Sequence, residues 1–133
     1  MKKYKILIVL ADFYEDISSA LLDRTKLKIP HKYAEPKNIK VIKVPGVFEI
    51  PVTISKNIKK YDAFIALGCV IKGETPHFDF ISSATTNAIM KLSVDSKKPI
   101  GNGIITCLNR KQAEDRINKA WGAVDAVISV LEQ

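Results

Sequence analysis

The chain is short of several things that would narrow its chemistry. It has two cysteines, Cys69 and Cys107, and two histidines, His31 and His77, in 133 residues. No Cys/His cluster is spaced for a zinc site, so no metal is expected. No apolar run reaches the ~18 residues of a membrane span. A Gly-x-Gly-x-x-Gly turn, a Walker sequence and a serine elbow are all absent. Arginine is scarce: of 21 basic residues only Arg24, Arg110 and Arg116 are arginine, and the rest are lysine. The net charge of +7 therefore comes from lysines scattered over the sequence without a basic-aromatic cluster. A solvated lysine-rich surface is expected rather than nucleic-acid binding, with a positive field that would favour an anionic substrate.

What is present reads as one domain over residues 1–133. The hydrophobic share of 47% beside 26% charged residues is that of a globular chain. The basic lead Met1-Lys-Lys-Tyr-Lys and the apolar run after it are followed by Asp12 and Glu15, with no small-residue cleavage site. The run is read as a first strand, and the expected location is the cytoplasm. Both cysteines fall in apolar strands and are expected as buried thiols.

Four apolar runs alternate with helical patterns. Strands are expected over Tyr4–Ala11, Ile39–Val44, Ala63–Ile71 and Ile104–Cys107, with helices from the Asp12–Asp16 turn to about Lys28, about Phe48 to Lys60, and about Pro76 to Ser93. Asn109 caps a last helix, about Arg110 to Glu132, whose apolar stripe is Ala113, Ile117, Ala120, Val124, Val127 and Leu131. Gly122 is where this helix is expected to bend or break. Such alternation implies a flavodoxin-like α/β sandwich of three layers, a four-stranded parallel sheet with helices on both faces.

The junction between the third strand and third helix organises the chain. Gly73 breaks the strand, Thr75 can cap the helix, Pro76 suits its first position, and Asp79 suits its first turn. Ligands of open parallel sheets bind beyond the carboxyl ends of the strands, and a helix amino terminus favours an anion. His77 lies beside that anion site. Phe13 after the first strand, and Phe48 and Glu49 after the second, share the same rim. Phe13 suits either core packing or stacking on a planar ring, and Glu49 either a first-turn charge or an acceptor for hydroxyls. The residues alone point to a phosphorylated, partly aromatic, hydroxyl-bearing ligand, with His77 moving protons.

Three ordered stretches, Val44-Pro-Gly-Val-Phe-Glu-Ile-Pro51, Gly68-Cys-Val-Ile-Lys-Gly-Glu-Thr-Pro-His-Phe-Asp79 and Pro99 to Arg116, resemble the lumazine synthase family. The resemblance covers nearly the whole chain. It implies a transferase that condenses 5-amino-6-(ribitylamino)uracil with 3,4-dihydroxy-2-butanone 4-phosphate in riboflavin biosynthesis, without a cofactor. It implies that Phe13 stacks on the pyrimidine, that Val47, Phe48 and Glu49 hold the ribityl chain, and that Cys69, Val70 and Ile71 meet the ring edge through backbone groups. Glu74 and Thr75 would hold the phosphate, and His77 would transfer protons. Asn102 and Arg116 would reach in from a neighbouring subunit, Arg116 clamping the phosphate. A homopentamer or a multiple of it is implied, with riboflavin synthase as a further partner and no membrane. Two other readings stay open on this fold: a pentameric riboflavin synthase paralogue, and a non-catalytic flavin- or phosphate-binding module.

Overall fold

A computed structural model describes residues 3–73 and 77–133. Its centre is a four-stranded, wholly parallel sheet in the order β2-β1-β3-β4. The strands are β1 (Ile6–Ala11), β2 (Ile39–Val44), β3 (Ala63–Ile71) and β4 (Ile100–Cys107). The helices are α1 (Glu15–Lys28), α2 (Ile50–Asn57), α3 (His77–Ser96), α4 (Arg110–Asp115) and α5 (Lys119–Leu131), with 3₁₀ turns at Pro36–Asn38 and Val47–Glu49.

The central apolar runs, β1 and most of β3, form strands because both of their faces are covered. In β1, Ile6, Ile8 and Leu10 join Ile17 and Leu21 of α1 and Val124 and Val127 of α5 in one core. Leu7, Val9 and Ala11 pack with Ile50 and Ile54 of α2 and Ile89 of α3 in the other. Each fully buried Leu or Ile contributes ~1.5–3 kcal/mol, so β1, buried along its whole length, is where the fold gains most per residue. This is the expected three-layer α/β sandwich.

Several ends shift by two or three residues, and two boundaries differ more. β4 begins at Ile100 rather than Ile104. Gly101, Asn102 and Gly103 interrupt the apolar run, yet they are strand residues, and the missing side chains of the two glycines let neighbours approach. A Cβ on Gly101 would stand 2.5 Å from the Ala123 carbonyl oxygen, and one on Gly103 2.5 Å from Cδ2 of Leu67. The final helix is two helices. Its break falls at Arg116–Asn118, not at Gly122, which lies inside α5. There the amides of Arg116 and Lys119 donate to carbonyls three residues back, tightening the chain into a turn. The apolar stripe survives the turn: Ala113, Ala120, Val124 and Val127 are buried, and Ile117 and Leu131 pack against the same core. The Asn109 cap forms as expected, accepting from the Gln112 amide at 2.9 Å, and Gln112 accepts from the Leu108 amide in return.

α3 is packed least. Of its 20 residues only Thr85 and Ile89 are buried among those described, while Phe80, Met90 and Val94 are each more than 60% exposed. With Ser83 and Asn87 these three form one stripe of alternating three- and four-residue steps, the spacing of a helix face that meets another helix. No described helix is long and apolar enough to cross a membrane.

Gly101→Ala should lower stability by ~1–3 kcal/mol, because the backbone of α5 cannot yield as a flexible side chain could. A urea midpoint unchanged from wild type would count against this account of β4.

Candidate functional site

The sheet order places β1 between β2 and β3, so the connection from β1 runs to one side and the connection from β2 crosses back to the other side of β1. The crevice beyond the carboxyl ends of such strands is the usual ligand position. Here it is a cleft of about 610 Å³ lined by Phe13, Tyr14, Gly46, Val47, Phe48, Glu49, Cys69, Val70, Ile71, His77 and Ile81.

Short backbone ties present the first wall. The Asp12 amide donates to the Val44 carbonyl at 3.1 Å, and the Ser18 hydroxyl donates to the Ala11 carbonyl at 2.7 Å. The turn into α1 is thereby held between the ends of β1 and β2. Phe13 projects from it with 73% of its surface exposed, which removes core packing as its role. Its ring meets Tyr14 edge to face, with centroids 4.9 Å apart. An exposed aromatic face braced by a second ring suits a planar ligand.

The second wall is the 3₁₀ turn Val47–Glu49. Val47 is buried and Phe48 is 60% exposed at the mouth. A Glu49 carboxylate oxygen accepts from the Gly46 amide at 3.0 Å. That bond orients the side chain and leaves acceptor capacity for hydroxyls. The turn can sit this low only because Gly68 has no side chain. A Cβ there would lie 2.7 Å from Val47 Cγ1 and 3.1 Å from Ala11 Cβ.

The floor is the end of β3. Cys69 is buried, with Val70 and Ile71 half-buried at the rim. Burial, and then the neighbouring Cys107, push the Cys69 thiol up to about 12. It stays protonated at neutral pH and is no nucleophile, so what it offers a ligand is its backbone. The Lys72 amide donates to the Cys107 carbonyl at 2.8 Å, pinning the exit of β3 to β4.

His77 opens α3, is exposed, and lines the cleft. Ile81, one turn further on the same helix face, lines it too; the sequence reading passed over it, although the four-residue step was the available signal. Glu74 and Thr75, expected at the phosphate, and the Thr75–Pro76 helix start lie outside the described residues. Asn102 and Arg116 do not join the cleft. Asn102 stands on β4, where its Oδ1 accepts from the Ile104 amide at 3.1 Å. It borders a separate hollow of about 80 Å³ with Ser82, Thr85 and Lys119. Arg116 is exposed and donates to the Thr106 carbonyl at 2.9 Å. An Asp16–Arg110 ion pair, also unforeseen, ties the starts of α1 and α4, and the guanidinium holds the Asp16 carboxyl below its usual range. Among the described residues no group of three or more His, Cys, Asp or Glu could hold a metal ion.

Comparison with known proteins places this cleft in context. A family model described as 6,7-dimethyl-8-ribityllumazine synthase matches residues 3–133. A protein of that name from Polaromonas sp. is 42% identical over 117 residues, 86% of this chain and 76% of its own. Another from Agrobacterium fabrum is 42% identical over 127 residues, covering 90% of this chain and 84% of its own. A third, from Corynebacterium kroppenstedtii, is 40% identical over 112 residues, 84% and 69% of the two chains.

Gly68→Ala should lift the Val47–Glu49 turn and weaken ligand binding in the cleft several-fold, with a smaller loss of stability. Unchanged affinity would show that the turn does not depend on that glycine. Neither cysteine should react with a thiol reagent at pH 8 until the chain unfolds; rapid native labelling of Cys69 would contradict its burial.

Proposed function

Because the chain belongs to the 6,7-dimethyl-8-ribityllumazine synthase family, we propose that its cleft condenses 5-amino-6-(ribitylamino)uracil with 3,4-dihydroxy-2-butanone 4-phosphate, releasing lumazine, phosphate and water. The observation that carries this reading is the convergence, in a chain of this family, of Phe13, the Val47–Glu49 turn, the end of β3 and His77 on one cleft.

The reaction needs two reactants held together and protons moved. The uracil's amine attacks the butanone carbonyl and water leaves, giving an imine. Elimination expels phosphate, and the ribityl-bearing nitrogen then closes the ring on the remaining carbonyl with loss of water. Phe13 supplies the stacking face, Glu49 accepts from the ribityl hydroxyls, and the backbone of Cys69, Val70 and Ile71 meets the polar edge of the ring. Glu74 and Thr75 hold the phosphate, and His77 exchanges protons with the imine and the leaving group. No step requires a covalent bond to the protein, in keeping with a protonated Cys69. Proximity supplies most of the acceleration, and His77 a smaller part.

The site is completed by a second copy. Asn102 and Arg116 stand apart from their own chain's cleft, and the exposed Phe80, Met90 and Val94 stripe of α3 offers an apolar face to a neighbour. A homopentamer, or a multiple of it, uses both features: α3 packs against its copies, and Arg116 clamps the phosphate in the adjoining protomer's cleft. The free thiols fit a reducing cytoplasm. A riboflavin synthase, which would consume the product, is the further partner.

Mixing the two substrates with the protein should produce lumazine absorbance; its absence at high protein concentration would overturn the assignment. His77→Ala should slow turnover by ~10²-fold or less, while Arg116→Ala should chiefly raise KM for the phosphorylated substrate. Oligomers co-assembled from these two variants should recover part of the wild-type rate, since some clefts would then contain both intact residues. If co-assembly restores nothing, or sedimentation finds a monomer, the shared site is wrong.

A further inference from the structure

The amino ends of the strands, on the far side of the sheet from the cleft, gather lysines that stand far apart in sequence. Ile6 pairs with both Ile39 and Ala63, so residues around the starts of β1, β2 and β3 share one rim. Lys5, Lys37, Lys40 and Lys60, with Asn38 and Tyr61, line a hollow there of about 350 Å³. The expectation of lysines scattered over helix faces and loops fails at this point, because parallel pairing brings three chain segments together.

The charges are largely uncompensated. Lys37 pairs with Glu35 at 3.5 Å, but among the described residues no carboxylate lies in ion-pair range of Lys5, Lys40 or Lys60. Asp62, adjacent in sequence to Tyr61, accepts from the Lys5 amide at 2.8 Å, so Glu35 and Asp62 stand against four ammonium groups. A helix carboxyl end favours cations, which accounts for Lys60 just past α2 but not for Lys5 before β1 or Lys40 within β2. Ammonium groups around one hollow repel each other unless an anion sits between them. The hollow is too large for a simple ion and falls in the size range of small-molecule sites. Tyr61 adds a half-buried ring, fixed edge to face against the core residue Phe64 with centroids 6.1 Å apart.

We propose that this hollow binds a multiply charged phosphate ligand, either a condensed phosphate or the phosphate tail of a nucleotide, at a site separate from the substrate cleft. Lysines suit such a chain because each ammonium is a rotatable point charge with three donors, requiring no fixed fork geometry. Tyr61 provides a wall on which the base of a nucleotide can stack.

Calorimetric titration of the whole protein with inorganic tripolyphosphate and with ATP tests this. The expected result is saturable binding of tripolyphosphate at low salt that weakens as salt rises. The Lys40→Glu/Lys60→Glu variant should bind about tenfold or more weakly, a factor of ten being ~1.4 kcal/mol, while its circular dichroism and its rate of lumazine formation stay unchanged. Arg116→Ala should bind tripolyphosphate as the wild type does, which separates this hollow from the phosphate position in the cleft. If ATP binds more tightly than tripolyphosphate and Tyr61→Ala removes the difference, the ligand is a nucleotide; equal affinities identify a condensed phosphate. No saturable binding of either probe at low salt, or binding untouched by the lysine reversals, would overturn the proposal.

Discussion

The contact between the Val47 side chain and the bare backbone of Gly68 sets the depth of the cleft. With Val47 seated against β3, the 3₁₀ turn lies low beside the cleft; within the turn the Gly46 amide holds the Glu49 carboxylate, and Phe48 is left at the mouth. The first wall is placed by equally short ties, the Asp12 amide on Val44 and the Ser18 hydroxyl on Ala11. Three strand ends are thus locked to one another before any ligand arrives. Such preorganisation is what a condensation of two small reactants needs, since much of its barrier lies in bringing them together.

The two ends of the sheet carry different chemistry on one scaffold. At the carboxyl ends of the strands the lining is aromatic and apolar, with few polar groups among the described residues: Glu49, His77 and the backbone of β3. At the amino ends lysines predominate around the hollow, and Tyr61 is the single aromatic among its lining residues. Parallel pairing is responsible for both, because it collects all the strand exits on one rim and all the entries on the other. The net charge of +7 is therefore not a uniform coat.

Much of this was legible in the sequence, and the failures have physical causes. β1 and β3 could be read because central parallel strands are continuous apolar runs, and the edge strand β2 because Ile39, Val41, Ile42 and Val44 are β-branched residues bounded by Asn38 and Pro45. The start of β4 was hidden because Gly101, Asn102 and Gly103 look like a loop, whereas the close approach of α5 and Leu67 demands small residues in a strand. The α4–α5 turn was hidden because the stripe from Ala113 to Leu131 keeps helical spacing through it, and the one glycine nearby, Gly122, sits in open space inside α5. The residues on the cleft were legible as strand-end turns. The uncovered stripe on α3 and the lysine hollow were not, since each depends on what a segment packs against rather than on its own pattern. Asn102 and Arg116 would have stayed unassigned without the family resemblance, because nothing in their own chain brings them to the cleft.

The buried Cys69 thiol at the floor carries one more consequence. Peroxide attacks sulfur through its ionised form, and Cys69, with its ionisation pushed to about 12, has almost none to offer. Cys69 therefore gives sulfenic acid formation little foothold beneath the cleft. The floor would keep its shape while exposed, acidic thiols elsewhere were being consumed.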